Sequence, residues 1–150
     1  MATWGAFESE EPELAARGRG LLYRAGIGEG LLATVRGDAP PRIHPVHVRI
    51  VDGRLATFVI AGSAKARDLA DDGRYAIHAH QDPAVPHEFL LRGRAVRVDD
   101  PGRRADAAAE WSFEVDDGYI LYELDIEHAV VGERATADDW PPVYRSWRPR

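Results

Sequence analysis

The chain has 150 residues, a formal net charge of −6, 45% hydrophobic residues and no cysteine, which suits one domain able to bury a core without covalent staples. The missing cysteine excludes disulfides, thiolate nucleophiles and thiolate-held metals, and the negative balance argues against general nucleic-acid binding, which relies on accumulated positive charge. No apolar run approaches the roughly 18 residues of a membrane span and no basic-then-apolar leader opens the chain, so neither a membrane partner nor export is expected and the cytoplasm is the expected location.

Residues 1–13 carry Glu8, Glu10, Glu11 and Glu13 close together and read as a flexible acidic arm, with Trp4 and Phe7 available to pack on the body. A single domain is expected over residues 14–150. Pro12 to Arg24 reads as a short helix, because proline suits a first turn and Leu14, Leu21 and Leu22 form an apolar stripe. The run Gly26-Ile27-Gly28-Glu29-Gly30 precedes a strand instead of following one, so it is not a dinucleotide-binding loop. Leu31–Arg36 is the first expected strand, and Gly37-Asp38-Ala39-Pro40 is turn material.

Arg42–Ile50 follows as a strand in which Val46, Val48 and Ile50 alternate with His47 and Arg49. Pro45 withholds an N–H from the ladder, which places it at an edge, a bulge or a spot where something other than a strand lies alongside. A turn at 51–54, a strand over 55–60 and a helix opening after Ser63 come next. The chain's one lysine, Lys65, stands in that helix's first turn with Arg67 behind it. Unpaired N–H groups and partial positive charge at a helix start favour an anion there, although Ser63 as a plain cap and Lys65 as a solvated side chain is the blander account.

Arg74–His80 is expected as a strand with His78 and His80 on one face. Glu88–Val98 is a longer strand in which Gly93 marks a bend or bulge. Residues 101–113 have helical composition behind an aspartate cap. Residues 118–124, 129–131 and 143–147 complete six or seven strands, joined mostly by short turns. That distribution favours a closed or partly closed antiparallel barrel over a doubly wound sheet.

The reactive inventory is thin. None of the serines (Ser9, Ser63, Ser112, Ser146) sits in a nucleophile elbow, and His78 and His80 offer two metal ligands without a third, so no metal site is expected. A chain short of its own nucleophiles points to a cofactor that carries the chemistry.

The segments Leu32-Ala33-Thr34-Val35-Arg36, Pro41-Arg42-Ile43-His44-Pro45-Val46 and Ser63-Ala64-Lys65-Ala66-Arg67-Asp68-Leu69, in this order, resemble the pyridoxamine 5'-phosphate oxidase-like split-barrel family, whose members bind FMN or, in some branches, the deazaflavin F420. The resemblance runs from about Leu31 to Val98. It implies a mainly β fold, a six-stranded antiparallel split β-barrel with short flanking helices, forming a homodimer with cofactors at the subunit interface. It implies ring and ribityl contacts near His44, Pro45, Val46 and His47, further contacts near Phe58 and Val59, and a phosphate site at Ser63 and Lys65. Glu88 falls near a cofactor-adjacent position, His78 is a further cofactor contact, and Trp147 and Arg148 are contacts given by the partner subunit.

The arginine that often precedes the family's lysine is Ala64 here, so Arg67 or another arginine has to compensate. The substrate pattern of true pyridoxamine phosphate oxidases is absent, so vitamin B6 synthesis is not expected. The activity implied is hydride transfer between FMN or F420 and a small-molecule redox substrate, with His44 or His47 as proton donor. The alternatives are a non-catalytic flavin- or haem-binding barrel, in the latter case with His78 or His80 as axial ligand, and a structural dimer without cofactor.

Overall fold

Alternating apolar residues drive the strands, and a computed structural model describing residues 1–150 shows where they pair. The order is α1 (Trp4–Glu10), α2 (Pro12–Leu22), β1 (Glu29–Arg36), β2 (Ala39–His47), β3 (Arg49–Val51), β4 (Arg54–Ile60), α3 (Ala64–Asp71), β5 (Arg74–Ala79), β6 (Glu88–Arg97), α4 (Pro101–Ala109), β7 (Tyr119–Glu133) and β8 (Val143–Trp147). All pairings are antiparallel within one sheet of order β2-β1-β5-β6-β7-β4-β3, and β8 is added along β7.

The two ends of that path are consecutive in the chain, separated by Val48 alone. The sheet therefore curls until both edges meet at one segment, and the ladder stays open between them. Across the split, Thr57 Oγ1 donates to the His47 carbonyl at 2.9 Å, and the Val48 N–H turns to the Gly28 carbonyl at 2.8 Å. Taking β2 and β3 as one kinked strand, six strands form the wall, as the sequence suggested, and β8 is an addition. The single strand expected over Arg42–Ile50 is thus broken at its fully buried valine.

Even-numbered residues of β1 and β2 face inward: Leu32 is fully buried and pairs with His44, and Gly30 pairs with Val46. Leu32, Leu55, Val59, Ile77, Leu91 and Leu124 fill the interior, each contributing about 1.5–3 kcal/mol through burial. A smaller cluster outside the wall joins Ala56, Phe58 and Leu121 to Ala107 of α4 and to Trp111. Glu123 ties α4 to the sheet by pairing with Arg54 at 3.1 Å and with Arg103.

The first thirteen residues are not a loose arm. Thr3 caps α1 by accepting from the Ala6 N–H, and Trp4 and Phe7, three apart and so on one helical face, are both fully buried. Ala2 exchanges two backbone hydrogen bonds with Ile126. The acidic residues occupy the solvent side, which is why composition alone read this stretch as unfolded.

Gly93 does mark a bulge: the β6–β7 register shifts between Arg92 and Gly93, leaving Glu127 unpaired, and a Cβ at Gly93 would lie 1.9 Å from the Asp125 carbonyl oxygen. The expected separate strands at 118–124 and 129–131 are one strand, β7, continuous through that bulge. The helix expected over 101–113 stops at Ala109.

Candidate functional site

Residues of β2 and β4 and the first turn of α3 border a cleft of about 370 Å³ beside the split in the barrel. Pro45, Val46 and His47 come from β2, Phe58 and Ile60 from β4, and Lys65 from α3. Glu29, His80, Phe113 and Tyr119 complete the lining. Pro45 lacks the N–H that a neighbouring strand would use, and its neighbour across the gap is this cleft.

Helix α3 begins as the sequence suggested. Ser63 Oγ accepts from the Ala66 N–H at 3.2 Å, and the cap leaves Lys65 in the first turn. Lys65 is the only permanently charged cation of the cleft lining and forms no ion pair. Burial holds its ammonium below the usual lysine value, so an anion brought into the cleft would meet a desolvated, unshared positive charge. Arg67 does not join it: its guanidinium folds back to donate to the Gly62 carbonyl on the exposed side of the turn.

The aromatic wall comes from the connection between α4 and β7. Trp111 packs edge-on against Phe58, with centroids 4.9 Å apart, and Phe113 lies 5.4 Å from Tyr119 and 6.1 Å from the His47 ring. His47 Nδ1 and Ser112 Oγ are 2.9 Å apart, which fastens this connection to β2. Arg104 secures its far end by donating to the carbonyls of Tyr119 and Asp116. Phe113, Tyr119, Ile60 and Glu29 were not identified from sequence as site residues. Their available signal was the aromatic spacing Trp111, Phe113, Tyr119 around Asp116-Asp117-Gly118, in a connection whose first part, 110–113, the sequence reading covered with a helix.

Other expected site residues lie elsewhere. His44 points to the opposite side of β2 from Pro45 and His47, with Nε2 3.3 Å from Thr34 Oγ1. Burial, then the charge of Lys65, lowers its pKa, with Asp68 opposing and Arg42 adding. Val59 is fully buried in the barrel interior. His78 lies on the outer face, paired with Leu31 and Leu90, and the cleft receives His80 instead. Glu88 opens β6 beside Gly132 and Tyr144.

Trp147 is core: it is 6% exposed, stacks on Phe7 at 4.8 Å and donates from Nε1 to Glu10 at 2.9 Å. A residue so engaged within its own chain is not free to cover a partner's cofactor. Arg148 is exposed next to it. No three His, Asp or Glu side chains converge as a metal-ligand set, and no helix is long and apolar enough to cross a membrane.

The cleft opens at Pro45 onto an apolar outer face. Ile43 is 68% and Leu31 41% exposed, and they flank Pro45 and Ala33 on adjoining strands.

No family model and no curated protein matches the chain. Solved structures do. A Clostridium acetobutylicum protein related to general stress protein 26 of B. subtilis, of the pyridoxinephosphate oxidase family, superposes with a TM-score of 0.67 at 11% identity, covering 89% of this chain and 92% of that one. PhzG from Burkholderia lata 383, in complex with tetrahydrophenazine-1-carboxylic acid, gives 0.62 at 14% identity over 95% and 96%. A haem-binding protein from Mycobacterium smegmatis gives 0.64 at 18% over 87% of this chain and 57% of that one. Together with the curled sheet and its split at Val48, these likenesses give the chain the split-barrel fold of the pyridoxamine 5'-phosphate oxidase-like proteins.

Proposed function

We propose that this protein binds FMN or F420 in the cleft between Pro45, Phe58 and Lys65 and acts as an oxidoreductase on a small organic substrate. The observation that carries this reading is Lys65: a half-buried cation with no partner of its own, in the first turn of a capped helix, at one end of a cleft walled by Phe58, Phe113 and Tyr119. Planar aromatic walls suit a flat ring system and a desolvated ammonium suits its phosphate, so the residues present fit such a group.

The bound cofactor would supply the hydride chemistry. The chain's own contributions are separate: Lys65 neutralises the phosphate, the aromatic wall excludes water and aligns the ring, and His47, with His80, is an imidazole of the lining able to hold or give a proton at the cleft. His44 is not proposed for that task because its ring is directed away from the cleft.

A second copy of the chain is the natural cover for the outer face of Ile43, Leu31 and Pro45, and because Pro45 belongs to both surfaces it would also complete the cleft. Ile43→Glu is therefore expected to turn a dimer into a monomer in sedimentation and to weaken cofactor binding at the same time. Lys65→Ala is the direct test. Loss of a charge-assisted bond costs about 2 kcal/mol, roughly 30-fold in affinity for FMN, while riboflavin, which lacks the phosphate, is expected to bind the two proteins equally. Unchanged FMN affinity in the folded variant would sink the assignment. Haem is the second reading, favoured by His80 in the cleft lining and by the likeness to the mycobacterial haem-binding protein; a Soret band on titration would support it.

A further inference from the structure

Helix α3 is fastened to the barrel one turn beyond Lys65 by a carboxylate with no solvent access at all. Asp68 Oδ2 accepts from Thr34 Oγ1 at 2.8 Å and stands 3.1 Å from Arg42 Nε, while its Oδ1 has no hydrogen-bond partner. Thr34 is itself fully buried on β1 and pairs in register with Arg42 on β2. The Thr34 hydroxyl has one hydrogen and gives it to the carboxylate, so in the 3.3 Å contact with His44 the imidazole Nε2 carries a hydrogen and donates to the hydroxyl oxygen.

Burying a carboxylate is expensive, and replacing a buried ion pair with apolar side chains is often neutral or stabilising. Ala66 and Leu69 already supply apolar contact between α3 and the barrel, but such contact is non-directional. The Thr34 hydrogen bond is directional, and together with the Arg42 ion pair on the same oxygen it fixes the rotation of the helix about its axis. A rotation of one residue, about 100°, would withdraw Asp68 from Thr34 and Arg42 and carry Lys65 off the cleft.

We propose that Asp68, through Thr34 and Arg42, is the positioning residue of the anion site at Lys65. The choice of FMN as a probe rests on the flavin reading of the cleft; the positioning role does not.

The test uses Asp68→Asn, Thr34→Val and Thr34→Ser in the full chain, with FMN, riboflavin and inorganic phosphate as probes. FMN affinity is expected to fall at least ten-fold in the first two and to be retained in Thr34→Ser, which keeps the donor, with riboflavin affinity unchanged throughout. A role in general stability alone would weaken both flavins in parallel, and that result, or unchanged FMN affinity in folded Asp68→Asn and Thr34→Val, overturns the proposal. Should Asp68→Asn fail to fold, Arg42→Gln removes the solvent-side partner and the same selective loss is expected.

If the wild type binds neither flavin, the FMN reading fails by itself, and phosphate decides the positioning role. Lys65 is the only lysine, so a lysine isotope label gives one side-chain signal. Its shift on phosphate addition is expected in the wild type and lost in Asp68→Asn; no shift in the wild type overturns the proposal.

Discussion

Phe7→Ala tests whether the first turn of the chain is part of the fold. Phe7 is fully buried, stacks on Trp147 at 4.8 Å with planes 29° apart, and meets Trp4 edge-on at 5.4 Å. Truncating a buried phenylalanine costs about 3–5 kcal/mol in transfer and cavity terms, and the two aromatic contacts lie within that range or add up to about 1 kcal/mol each. A loss near 4 kcal/mol is a large share of a domain stability of about 5–15 kcal/mol. With a urea slope of about 2 kcal/mol/M, the midpoint should fall by about 2 M with no change in slope. The same substitution frees Trp147, so its fluorescence should shift to the red in the folded protein. A destabilisation below about 1 kcal/mol with unchanged fluorescence would refute the docking of α1 and return residues 1–13 to the status of an arm.

Three further outcomes are expected. Gly93→Ala places a methyl group against the backbone of Asp125 and Glu127, contacts no rotamer can relieve, and should cost about 3 kcal/mol or prevent folding, read by the same urea titration. The depressed pKa of His44 means that the unfolded chain binds the proton more readily. Its contribution is therefore fully present above the unfolded value near 6.5 and lost as pH falls through the lower folded value, so the difference in urea midpoint between pH 7.5 and 5 should shrink in His44→Gln. Ser112→Ala, which releases His47 from the α4–β7 connection, should leave stability within about 0.5 kcal/mol, as surface changes do, while altering the His47 ring signals in NMR; unchanged signals would remove the clasp.

The wall of the barrel was legible because its strands alternate, and the bulge was legible because an isolated glycine interrupts a strand whose neighbours are Arg92 and Arg94. Ser63 as a cap and Lys65 in the first turn were likewise local signals. Residues whose placement depends on distant chain were not readable. Trp4 and Phe7 form too short a repeat to declare a helix, and the glutamates between them and Pro12 dominate the composition. Strand β7 was split in two because Asp125, Glu127 and His128 interrupt its apolar pattern, yet Asp125 and His128 stay in register with β6 and Glu127 is the bulge residue. His44 was assigned to the cleft by its place in a motif, whereas strand alternation turns it to the same side as Leu32 and Thr34. The aromatic roof of Phe113 and Tyr119 exists only once α4 ends at Ala109 and Arg104 draws the following residues back.

The central claim is that the cleft beside Lys65 holds a flavin-type cofactor. The most direct measurement is a parallel absorbance and fluorescence titration of the purified protein with FMN, F420 and haem. The account predicts saturable binding of FMN or F420 near one per subunit, weakened in Lys65→Ala. Saturation by haem alone would replace the flavin reading with the haem one, and no saturable binding by any of the three would contradict the cofactor role altogether.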